Sequence, residues 1–168
     1  MTPNGMVATV RRFIADEKAT GYVNNSGGVN LEEPEGTEEL LTYLDRAVEE
    51  YSVRQAANGD VRLLKTMSIS AGSTIPSDYL MMCGAVPVNI VGGTITYYGD
   101  ENVMPVRYFA RLPYVTSYSL SSNLPYKRDQ EMSICALAAI YALNKHEFNV
   151  SQDLMLLGYG GGAGNANT

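Results

Sequence analysis

His146 is the only histidine of this 168-residue chain, and Cys135 stands eleven positions before it. A thiol and an imidazole can make a nucleophile and its base, provided they lie within hydrogen-bond reach. Both fall in a stretch that reads as helix, where eleven residues return a side chain to nearly the same face. The same eleven residues, at 1.5 Å rise each, put the two groups roughly 16 Å apart, so a continuous helix excludes proton transfer between them. His146, flanked by Lys145 and Glu147, reads instead as a surface group at a helix end, where the dipole favours a cation. The second cysteine, Cys83, is distant in sequence, and neither cysteine has another Cys or His at metal-ligand spacing. Two free buried thiols in a reducing compartment are expected.

Two further groups of residues invite chemistry and supply none. Gly158, Gly160 and Ala163 match the permissive dinucleotide fingerprint G-x-G-x-x-G/A. That motif works by turning a strand into a helix whose N-terminus meets pyrophosphate, and no helix-forming stretch follows these glycines. Glu32, Glu33, Glu35, Glu38 and Glu39 gather carboxylates, but proline and glycine separate them and no histidine joins them, so Glu32, Glu33 and Glu35 read as an acidic exposed loop. No catalytic, metal or cofactor-binding residue is assigned. A small hydrolase using a serine, an aspartate and His146 stands as the enzymatic alternative.

The elements follow from hydrophobic period. Val7, Val10, Phe13 and Ile14 recur at helical spacing, with Arg11, Arg12, Asp16, Glu17 and Lys18 on the other faces, and predict a first helix over 4–19. Residues 20–36, rich in Gly and Asn without apolar period, read as a long loop. Thr37 can cap a second helix over 37–57, whose stripe is Leu40, Leu41, Leu44, Ala47, Val48 and Tyr51 and whose stop is Gly59. From Asp60 the period shortens towards two, with strand-like runs in VRLLKTMSIS, GAVPVNIV, GTITYYG and PVRYFARL, while AGSTIPSDYL reads as turn chemistry. A helix over 127–147, apolar on nearly every face, reads as the centre of a bundle. Ser151 can cap a last helix over 151–157, and 158–168 is an extended tail. The expected fold is α+β: a single domain with a bundle of about four helices and a small antiparallel sheet inserted at 61–115.

Composition sets the partners. With 45% hydrophobic and 18% charged residues the chain can bury a sizeable core, and its net charge of −6 argues against gripping DNA through a basic face. No apolar run reaches membrane-spanning length, and MTPNGMVATVRRF lacks the apolar core of a signal peptide, so a soluble, intracellular protein is expected. Tyrosine outnumbers phenylalanine twelve to three, and tryptophan is absent. Tyrosine is enriched at interfaces, which marks Tyr97, Tyr98, Tyr108 and Tyr114 as candidate subunit or tail contacts. The same aromatics could make a nucleic-acid stacking platform, though without a basic groove.

The order of elements resembles a known family. VRRFIADEKATGYVN followed by TEELLTYLDRAVEEYSVRQ is similar to the paired N-terminal helices of tailed-phage head-to-tail adaptor proteins, through Arg11, Arg12, Asp16, Glu39, Leu40, Leu41, Leu44 and Ala47. GDVRLLKTMSISAGSTIPSDYLMM resembles the strand and turn of the tail-tube-type adaptors of short-tailed phages, through Ile75, Pro76, Ser77, Asp78 and Tyr79. VRYFARLPYVTSYSLSSNLPYKRDQEMSICALAAIYAL resembles the family's strand ending in an aromatic and proline, an irregular segment and an alanine-rich helix. The likeness spans about residues 7–157.

This resemblance implies a structural virion protein of the neck, assembled in host cytoplasm. It would form a ring, commonly of twelve copies, that joins the portal protein to a tail or nozzle protein and extends the channel for double-stranded DNA. An acidic channel would let DNA slide without sequence-specific binding. Another ring former, a tail-completion or tail-terminator protein, is the alternative. Within this reading the tail is a strip that pairs with a portal or neighbouring subunit, anchored by Leu156, Leu157 and Tyr159 and carrying Asn165 and Asn167.

Overall fold

The computed structural model describes residues 1–14, 34–97 and 103–156, with backbone alone at 34–36, 97 and 146–156. The chain divides into two units, Met1–Leu44 with Tyr118–Thr168, and Asp45–Ser117. The class is mixed α+β. Three α-helices are present among the described residues: α1 (Pro3–Phe13), α2 (Pro34–Ala57) and α3 (Arg128–Leu156).

In the first unit, Thr2 caps α1, its Oγ1 accepting the Gly5 amide at 3.1 Å, and Pro3 takes the first turn, where its missing N–H costs nothing. Met6, Val7 and Val10 are buried, and Ile14 closes the helix. Two details depart from the predicted first helix. Phe13 faces outward, and Arg11, expected on an outer face, is only 1% exposed. The spacing explains it: Val7, Arg11 and Ile14 lie at i, i+4 and i+7 and share one face. Residues 15–19 of that helix lie outside the described residues.

α1 packs on α3, which buries Ile134, Cys135, Ala138, Ala139 and Ala142. At the start of α3 the Gln130 side chain reaches back to accept the Lys127 amide at 2.9 Å, half of a capping box. The predicted break between two C-terminal helices does not exist: α3 runs through Ser151 without interruption. Ser151 is a tolerable mid-helix residue, and neither Gly nor Pro occurs before Gly158 to stop the helix. α2 likewise starts at Pro34 rather than after Thr37, with proline at its first position, so residues 34–36 of the predicted loop are helical.

In the second unit, α2 ends in a Schellman motif. The Gly59 amide donates to Ala56 O at 3.0 Å and the Asp60 amide to Gln55 O at 2.9 Å, with Gly59 at φ +73°. Gly59→Ala, into open space but a left-handed backbone, is expected to cost about 1 kcal/mol in urea denaturation. Asp60 then caps a short 3₁₀ turn, Val61–Leu63, by accepting the Arg62 amide at 3.0 Å.

Among the described residues five strands follow: β1 (Leu64–Ile69), β2 (Tyr79–Met82), β3 (Val88–Val91), β4 (Thr94–Tyr97) and β5 (Met104–Ala110). They form two antiparallel sheets in place of the one expected, a three-stranded sheet in the order β1-β5-β2 and the hairpin β3-β4. The hairpin turns on Gly92 and Gly93, at φ +58° and +76°, the positive pair that a two-residue turn favours. The other edge of β4 is occupied by residues 72–75: Gly72 N donates to Ile95 O, Ile95 N to Ser73 O and Ile75 N to Gly93 O, at 2.8–3.0 Å. One apolar cluster joins Ala56, Leu63 and Phe109, and a second joins Ile69, Ile95 and Val106.

Candidate functional site

α3 is unbroken from Cys135 to His146, so the helical rise separates these residues by roughly 16 Å, beyond any shared proton. Cys135 is fully buried and its Sγ donates to Met6 O at 3.8 Å. Burial, helped by the negative charge of Glu131, pushes its thiol up to about 12, which keeps it protonated and non-nucleophilic at neutral pH. Cys83 is half-buried beside the Leu63 and Phe109 cluster. Among the described residues no group of three His, Cys, Asp or Glu could hold a metal ion.

The polar side chains gather instead in two structural nodes of the second unit. The first centres on Asp78, inside the IPSDY turn that leads into β2. Its Oδ2 accepts from Lys65 Nζ at 2.5 Å and its Oδ1 from Tyr108 Oη at 3.1 Å. Its backbone oxygen accepts the Arg111 amide at 2.6 Å. Lys65 and Tyr108 are directly opposed on β1 and β5, so one carboxylate spans the three-stranded sheet. Tyr108 is 4% exposed and stacks on Tyr79 with ring centroids 5.9 Å apart. Burial and the neighbouring carboxylate both raise its phenol above the usual value.

Partial burial would raise Asp78, but the hydrogen bonds from Lys65 and Tyr108, with the charge of Lys65, outweigh it and hold the carboxyl below 3.8. A depressed folded-state value stabilises the fold above the unfolded carboxylate range, and that stability is lost as pH falls through the folded value. Asp78→Asn is therefore expected to flatten the stability profile below about pH 4. Urea titrations across that range check it, and an acid limb identical to the parent's would refute the assignment.

The second node fixes the segment after β5. Asp45, Glu49 and Ser52 lie at i, i+4 and i+7 on α2 and form one polar face. Asp45 Oδ1 accepts the amides of Val115 at 2.6 Å and Thr116 at 3.3 Å, and its Oδ2 accepts from Thr116 Oγ1. Glu49 Oε2 accepts from Tyr114 Oη at 2.6 Å. Ser52 Oγ accepts the Leu112 amide at 3.1 Å while donating to Val48 O at 2.7 Å. Arg111 lies over the Tyr114 ring, 3.9 Å from its centroid, and donates to its hydroxyl. The Glu49 bond, then burial, raise the Tyr114 phenol, while the charge of Arg111 works against them.

The structure thus gives side-chain surroundings for two of the four marked tyrosines and the backbone position of a third. Tyr108 serves the interior of its own unit and Tyr114 is bonded to Glu49. Tyr97 is the last residue of β4, opposite Val88, and Tyr98 lies outside the described residues. Glu35 is in the first turn of α2, and Leu156 is the last residue of α3. Glu32, Glu33, Leu157, Tyr159, Asn165 and Asn167 lie outside the described residues, as does most of the 20–36 loop.

A different face stands out. Met132, Ala136, Ile140 and Leu143 follow one another at i, i+4, i+8 and i+11 along α3 and are exposed, the three larger ones by 40%, 51% and 39%. The expectation that this helix is enclosed on every side does not hold. Ile134 and the small side chains Cys135, Ala138, Ala139 and Ala142 face inward, the small ones permitting close packing, while Met132, Ile140 and Leu143 are left outside. The alanine spacing in SICALAAIYAL was the available signal. Among the described residues no helix is long and apolar enough to cross a membrane.

No protein-family model, curated protein or solved structure matches this chain.

Proposed function

We propose that this chain is a head-to-tail adaptor: a structural, non-catalytic virion protein that forms a ring between portal and tail and extends the DNA channel. One observation carries the reading, the order of the elements. A short helix, a long helix, an antiparallel β insertion and a second long helix follow one another as in the adaptor resemblance. Asp78, in the turn that contributes to that resemblance, is the residue that ties the three strands together.

The exposed α3 stripe supplies a face for contact between neighbouring copies. A ring multiplies one modest heterologous contact around a closed symmetry, so a small stripe on each copy is sufficient. A net charge of −6 suits a channel past which DNA slides.

Electron microscopy of the cognate portal mixed with this protein tests the reading. An added ring at the portal's narrow end is expected. No added ring there, with recruitment by a different viral ring, would overturn it in favour of a tail-completion or tail-terminator role.

A further inference from the structure

We draw no further inference here: the strongest candidate outside the α3 face, the outer edge of β3 beside the exposed Val91, unpaired among the described residues, carries nothing because nothing in the structure shows what covers it.

Discussion

Ile140→Glu is expected to leave a folded chain that no longer joins a ring. Ile140 is half exposed at the middle of the α3 stripe, so glutamate meets water in the free protein and stability should change by no more than about 0.5 kcal/mol. Between two copies the same carboxylate would be desolvated without a partner, at a cost of several kcal/mol, which weakens each contact at least ~100-fold. Because the contact recurs around the ring, the loss compounds. Circular dichroism checks the fold, and microscopy with portal checks assembly. Rings formed equally by parent and variant would remove the α3 face from the assembly while leaving the adaptor reading intact. Rings formed by neither would count against the adaptor reading itself.

Asp45→Ala should be the most damaging single change to a polar residue. Its carboxylate meets the Val115 and Thr116 amides and the Thr116 hydroxyl, and Val115 is fully buried. Removal strands the buried Val115 amide, while the exposed Thr116 amide and hydroxyl turn to water, and about 2 kcal/mol is expected. Glu49→Ala, at the exposed position between Asp45 and Ser52 on the same helix face, should cost under about 1 kcal/mol, since water can replace its bond to Tyr114. Urea denaturation of both variants measures the difference. Hydrogen exchange locates it, with the amides of Leu112, Val115 and Thr116 opening first in the Asp45 variant. Equal costs for the two would show that the segment is held by packing alone.

Local signals read correctly where one residue decides one event. Gly59 ends α2 because a left-handed residue is needed there. The long amphipathic stripe of α2 was equally plain, since Leu40, Leu44, Ala47, Val48 and Tyr51 are all buried, with Leu41 at its margin half-buried. β2 was not legible: YLMM is four residues without alternation, its pairing with β5 shifts between Tyr79 and Met81, and its partner lies far along the chain.

The split of the C-terminal helix into two was a capping argument applied where tertiary context had no need of a cap. The candidate contact face was missed for a related reason. Hydropathy marks both faces of α3 as apolar, and size separates them only in part: the packed face is mostly alanine and cysteine but also holds Ile134, while Ala136 lies on the open one. Nor does sequence spacing alone say that Asp45, Glu49 and Ser52 would meet a segment some sixty to seventy positions away.

The strand order β1-β5-β2 also sets a timetable. The central strand is the last of the three to be synthesised, and its two neighbours do not pair with each other. The β3-β4 hairpin, closed by two residues, can form within about 1–10 μs of leaving the ribosome. The three-stranded sheet must wait until Ala110 has emerged, a delay on the order of seconds at translation speed. Throughout that interval β1 and β2 present unpaired backbone to whatever they meet, so nascent chains stalled before Met104 should be the form most prone to aggregate.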